Sequence, residues 1–117
     1  MSNYRKPPSY KKILIIESES IIAEEIQMRL LTEGYQSDKI MNESQIPGDL
    51  SGYSGIFCGK GKPDQNTPIV IRTKDKEVPI IGMNFFEGVD YSIPKPFTDE
   101  EFAGTITYLK SREKKKS

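Results

Sequence analysis

Lys12-Ile-Leu-Ile-Ile-Glu-Ser-Glu19 is the stretch on which the fold turns. Ile13 to Ile16 are four consecutive apolar residues that run into an acidic turn and then into a helical pattern. A short β-branched run without polar alternation predicts a strand buried on both faces, the kind found in the middle of a parallel sheet. Ligands of such sheets gather beyond the carboxyl ends of the strands, so Glu17 and Glu19 stand where a site belongs. A purely structural reading stands beside this one. Two acids ahead of a helix suit the positive end of its dipole and need no ligand.

Downstream of that turn, Ser18 or Ser20 is placed to cap a helix over 20–33. Ile22, Ala23, Ile26, Leu30 and Leu31 form its apolar stripe, and Gly34 closes it as a left-handed cap. A short second strand follows at roughly 39–41. Between Asn42 and Gly52, Pro47 and Gly48 leave room for about one turn of helix. Tyr53-Ser-Gly-Ile-Phe-Cys-Gly59 reads as the third strand, with Ile56, Phe57 and Cys58 buried. Gly59-Lys-Gly-Lys-Pro63 lacks the spacing of a phosphate-binding P-loop. Thr67-Pro68 is a good helix start, which predicts a short helix over 67–77 and a fourth strand over 79–83. Because Ile69-Val-Ile71 prefers a strand, a hairpin of 69–73 with 78–82 is the alternative. Residues 84–90 are too few for the usual crossover helix before a fifth strand at 91–93. Phe85 and Phe86 in that loop either fill the space of the lost helix or form a patch. Thr98 then caps a second amphipathic helix over 98–110, with Phe102, Ile106 and Leu109 on one side. Strands alternating with helices in this order predict a doubly wound α/β sandwich with a five-stranded parallel sheet and reduced or missing middle helices. The helices at 20–33 and 98–110 are expected on the same side.

Composition narrows the chemistry. The chain has 117 residues, one domain's worth, and a single cysteine that cannot form an internal disulfide. That cysteine usage points to a reducing, cytoplasmic home, and no apolar run approaches membrane-spanning length. Without any histidine, Ser-His and Cys-His dyads are excluded and a zinc site is disfavoured. Formal charge is zero overall, but residues 1–12 and 110–117 each carry +4 and the body between them −8. An acidic body argues against nucleic acid as a partner. The expected organisation is a flexible basic segment over 1–11, a folded domain over 12–110 and a basic tail over 111–117.

Taken together, several motifs resemble a response-regulator receiver domain. These are the first strand with Glu17-Ser-Glu19, the helix ending at Gly34-Tyr35, Pro63 four residues past the third strand, Pro79-Ile-Ile-Gly-Met83 and Lys95-Pro96-Phe97. The resemblance spans about residues 11–110 and implies a flavodoxin-like fold of receiver type. In that family an aspartate ending the third strand accepts a phosphoryl group. An acidic pair after the first strand holds Mg²⁺, a hydroxyl residue ends the fourth strand and a lysine the fifth. On this chain the acidic pair falls on Glu17 and Ser18, the acceptor on Gly59, the hydroxyl position on Asn84 and the lysine on Lys95. The switch-aromatic position is Ser92, with Tyr91 displaced by one.

Phosphoryl transfer onto protein needs a carboxylate nucleophile and a cation clamped by oxygens. Gly59 has no side chain, Glu17 with Glu19 is a poor cage, and neither Asp64 nor Asp49 is well placed. The expectation is therefore a degenerate pocket of Glu17, Ser18, Glu19, Gly59, Asn84 and Lys95, with no catalytic residue, metal or cofactor. Lys95 is expected to pair with Glu17, at a value of about 1 kcal/mol or less if partly exposed. The implied function is a pseudo-receiver: a phosphorylation-independent, non-enzymatic module of two-component signalling that acts on another signalling protein, with a homodimer left open. The alternative is a sensor that binds a small ligand or anion through Lys60, Lys62 and Lys95. Cys58 is expected to be buried rather than reactive.

Overall fold

A computed structural model describes residues 11–59, 67–84 and 87–116. Five parallel strands form one sheet in the order β2-β1-β3-β4-β5: β1 (Lys11–Ile16), β2 (Tyr35–Ile40), β3 (Gly55–Gly59), β4 (Ile80–Met83) and β5 (Tyr91–Ile93). The helices among the described residues are α1 (Ser20–Thr32), α2 (Thr67–Lys74) and α3 (Asp99–Lys116), with a 3₁₀ turn at Glu43–Gln45. This is the doubly wound α/β sheet expected, with its middle helices reduced.

The apolar run at 13–16 lies between two neighbours, β2 and β3, and alternates between two cores. Ile13 and Ile15 face one core with Phe57, Ile81, Met83 and Ile93, covered by α1 and α3 through Ala23, Ile26, Leu30, Phe102, Ile106 and Leu109. Leu14 and Ile16 face the other with Ile56, Cys58 and Ile80, covered by Ile46, Leu50, Ile71 and Val78. The two long helices therefore share one side. Gly55 lets α3 approach the sheet: a methyl group there would meet Leu109 Cδ2 at 2.7 Å.

Several local expectations are corrected. No side chain caps α1; Glu19 is the N-cap residue and neither Ser18 nor Ser20 fills that role. Leu31 is 68 % exposed and lies off the buried stripe, whereas Gly34 has the left-handed φ of +92° expected of it. The second strand begins at Tyr35, well before 39, because β2 is an edge strand held by its ladder to β1 and not by an apolar run. Residues 69–73 lie in α2 and β4 pairs in parallel with β3 and β5, which rules out the hairpin. Thr98 and Glu101 close a reciprocal capping box at the start of α3.

The last helix passes the boundary at 110 and continues to Lys116. Its extension is tethered, since Tyr35 Oη donates to Glu113 Oε2 at 2.9 Å and Lys11 pairs with Glu113 Oε1 at 3.1 Å. The expectations for Phe85, Phe86, Lys60, Lys62, Asp64 and the segment 1–10 fall outside the described residues.

Candidate functional site

Parallel strands deliver their following residues to one edge of the sheet, so Glu17, Gly59, Asn84 and Lys95 meet beyond the ends of β1, β3, β4 and β5. Glu17 is held in place by its main chain, whose N–H donates to Ile40 O at 3.0 Å. Its side chain is only 1 % exposed. Both carboxylate oxygens have partners. Oε1 receives Lys95 Nζ at 3.0 Å, and Oε2 receives the Glu19 N–H at 3.0 Å. Lys95, 15 % exposed, also lies 3.5 Å from Glu19 Oε1.

The expected Glu17–Lys95 pair is present, but it is buried and not a surface pair. A buried carboxylate is tolerated only when paired and hydrogen-bonded. Removing one member of such a pair costs about 3–5 kcal/mol, well above the value for an exposed pair. Lys95 is engaged by two carboxylates, which leaves its ammonium poorly disposed to serve an anion.

Gly59 ends β3 beneath this carboxylate. A Cβ built on it would lie 2.1 Å from Glu17 Oε1, 2.7 Å from Glu17 Cδ and 3.2 Å from the Ile16 carbonyl oxygen. The place where a side chain at 59 would begin is thus already filled by Glu17. Asn84 adopts a left-handed φ of 69°, which short polar side chains tolerate better than others. Its amide grips the Lys95 peptide from both sides: Nδ2 donates to Lys95 O and Lys95 N–H donates to Oδ1, each at 3.3 Å. Asn84 thereby works on the backbone rather than offering a hydroxyl. This role has a sequence signal only in the amide type and in its position just after the fourth strand.

A Mg²⁺ ion does not fit these residues. Glu17 is committed to Lys95, exposed Ser18 offers only a hydroxyl, Gly59 supplies no carboxylate, and an ammonium stands in the middle. Among the described residues no group of three or more His, Cys, Asp or Glu could hold a metal ion. Glu17 is also a poor nucleophile, being buried with both oxygens bonded. Asp49 lies in the loop entering β3, at the far end of that strand from Gly59.

Tyr91 and Ser92 are separated by the alternation of the strand. Tyr91 stands opposite Ile81, faces α3 and stacks on Tyr108 at 4.9 Å between ring centroids. Ser92 stands opposite Gly82, on the other face. A one-residue offset in a strand changes faces, so Tyr91 cannot replace an aromatic at 92.

Beside the site is a cleft of about 480 Å³ lined by Glu19, Ile22, Glu25, Pro96 and Phe97 together with Asn84 and Lys95. Its apolar wall combines a half-buried residue of α1 with the turn after Lys95, a pairing that only the tertiary structure reveals.

No protein-family model and no curated protein sequence matches the chain. Solved structures do. The receiver domain of sensor histidine kinase PA1611 from Pseudomonas aeruginosa PAO1, solved with a magnesium ion coordinated in its active-site cleft, aligns with a TM-score of 0.73. Identity is 19 % over 86 % of this chain and 97 % of that one. The signal receiver domain of an HD domain-containing protein from Pseudomonas fluorescens Pf-5 also aligns at 0.73, with 14 % identity over 98 % of both chains. The fold is that of a response-regulator receiver domain. A chain from the complex of histidine kinase ThkA with response regulator TrrA aligns at 0.69, with 25 % identity over 85 % of this chain and 97 % of that one. No helix among the described residues is long and apolar enough to cross a membrane.

Proposed function

We propose that the protein is a pseudo-receiver: a cytoplasmic, non-enzymatic module of two-component signalling that works by binding another protein and without phosphorylation. One observation carries this reading. At Gly59, where the sequence resemblance puts the acceptor, there is no side chain, and the space a Cβ would take holds the Glu17 carboxylate paired to Lys95. A transferable phosphoryl group needs a carboxylate nucleophile beside a clamped cation; Gly59 supplies no carboxylate, and among the described residues no group of three or more His, Cys, Asp or Glu could hold that cation.

Support for protein binding comes from α1. Ile21, Met28 and Leu31 are 80 %, 70 % and 68 % exposed on one helix, whose buried side already carries Ala23, Ile26 and Leu30. Exposed apolar side chains grouped on one element mark interaction surfaces more often than scattered ones do. The ThkA–TrrA complex is a precedent for a protein of this fold meeting a kinase.

Incubation with acetyl phosphate and Mg²⁺, or with beryllofluoride, tests the reading by intact mass and by NMR at Gly59 and Asn84. No added mass and no shift are expected. A phosphoryl adduct overturns the proposal. For the binding half, capture from native lysate should recover a signalling partner with the wild type and lose it with Met28→Asp. Leu109 is unsuitable for such a probe because it is fully buried.

A further inference from the structure

We propose that Glu17 is the built-in occupant of the acceptor position: its carboxylate, supplied from β1, fills the space Gly59 leaves open and locks the strand ends in one arrangement through Lys95. This rests on the reading of Gly59 as a vacated acceptor position, and it adds a role for the side chain that took the space.

A side chain at 59 and the Glu17 carboxylate compete for the same space. A Cβ would fall 2.1 Å from Oε1, so the carboxylate would have to move, and the Ile16 carbonyl oxygen lies 3.2 Å from the same point. From there the contacts run on without a gap. Glu17 Oε1 holds Lys95 Nζ at 3.0 Å, and the Lys95 peptide is gripped by the Asn84 amide. Asn84 N–H in turn donates to Ile93 O at 2.9 Å. The ends of β1, β4 and β5 therefore belong to one network, with the buried carboxylate at its centre seated against the end of β3 at Gly59. Such a network favours a single state, because the carboxylate loses its partners if it moves. The pocket is held from within, with no phosphoryl group to add or remove.

The test is a mutant cycle of Gly59→Ala, Glu17→Ala and the double variant, with Gly48→Ala as control because a Cβ there meets nothing within 4 Å. Thermal unfolding and amide hydrogen exchange are the readouts. Gly59→Ala and Glu17→Ala should each lower Tm by about 10 °C, since each dislodges or deletes the carboxylate. The double variant should melt no lower than Glu17→Ala alone, because the methyl group added at position 59 then has the space. In all three the Asn84 and Lys95 amides should exchange about tenfold faster or more. Losses that add, or a Gly59→Ala protein that behaves like Gly48→Ala, overturn the lock. Should Gly59→Ala fail to fold, a double variant that folds supports it and one that fails as well overturns it. The near-isosteric Glu17→Gln gives an independent reading, since unchanged protection of the Lys95 amide in that protein also overturns the lock. A phosphoryl adduct on the wild type defeats the proposed function itself, whereas additive losses without any adduct defeat only the lock.

Discussion

The two faces of the sheet reach the same burial by different means. On one, α1 and α3, of 13 and 18 residues, cover Ile13, Ile15, Phe57 and Ile81. Contacts there are between side chains: Phe57 stacks on Phe102 at 6.0 Å, Tyr91 on Tyr108 at 4.9 Å, and Arg29 lies over Phe97 at 5.2 Å. On the other face, Leu14, Ile56, Cys58 and Ile80 are just as buried, beneath an eight-residue helix and irregular chain. Side chain–backbone bonds hold that cover. Arg72 donates to the carbonyls of Asp75 and Val78 and pairs with Asp90, while Asp90 and Asp75 accept the N–H groups of Ile80 and Val78. A thin cover can thus seal a core if polar side chains satisfy the backbone that missing helix turns leave unpaired.

The largest effect should come from the helix-covered face. Phe57→Ala removes a ring with no exposed surface and should cost about 3–5 kcal/mol in urea unfolding, against about 2 kcal/mol for Ile71→Ala on the buried side of the short helix. Short helices and loops can settle into a cavity more readily than two long helices clamped by stacking. Equal losses would mean that the thin cover is as rigid as the thick one, and the contrast would fail.

Next comes the polar stitch. Arg72→Met keeps the stem and deletes the donors, leaving the Val78 carbonyl without its 2.8 Å partner. A loss of about 1–3 kcal/mol is expected. Arg72→Lys should not restore it, because one ammonium cannot replace a planar fork serving three acceptors. Full rescue by lysine would show that charge, and not bond geometry, holds this face.

Much of the fold was legible because the strongest signals are local. The apolar run at 13–16, the stripe of Ala23, Ile26 and Leu30, Gly34 and the Thr98 cap each act within one element. What could not be read depends on distant partners. The extension of α3 carries a Lys-rich sequence that suggests a solvated tail, yet Glu113 is tied to Tyr35, 78 residues earlier in the chain. Residues 35–38 lack an apolar pattern because an edge strand draws its order from its neighbour. At the site, a residue without a side chain at 59 and the charges of Glu17 and Lys95 were visible as residue types. The depth of Glu17 was not, because burial depends on the absent side chain at 59, on Ile16 and on Lys95 together.

Cys58 sharpens the comparison through its environment on the thin face. Burial pushes its thiol up to about 12, with Arg72 opposing weakly. A pKa raised on folding stabilises the native state fully below the unfolded value near 9 and loses that stability as pH climbs from there towards 12. Between pH 9 and 10 this group should contribute a fall of about 1 kcal/mol, which Cys58→Ala removes. Alkylation by iodoacetamide at pH 8 should be no faster than unfolding. Fast labelling of the folded protein would show that the thin cover opens locally, as its longer counterpart across the sheet would not.

The smallest effect tests the seam where the thin cover meets edge strand β2. Tyr53 Oη donates to Asp38 Oδ2 at 2.6 Å, and this bond, ahead of nearby Lys12, holds the Asp38 carboxyl below its ordinary range. The Asp38 side chain is 44 % exposed, so solvent screens the gain and Tyr53→Phe should cost less than about 1 kcal/mol. Its pH dependence is the sharper signature. A carboxyl lowered on folding lends its stability above the unfolded value, near 4, and gives it up as pH falls through the folded value. Urea midpoints of wild type and Tyr53→Phe should therefore differ at pH 7 and converge in acid. The ring is retained in the variant, so a gap that persisted at low pH would assign the stabilisation to the hydroxyl's other surroundings and not to the charged partner on β2.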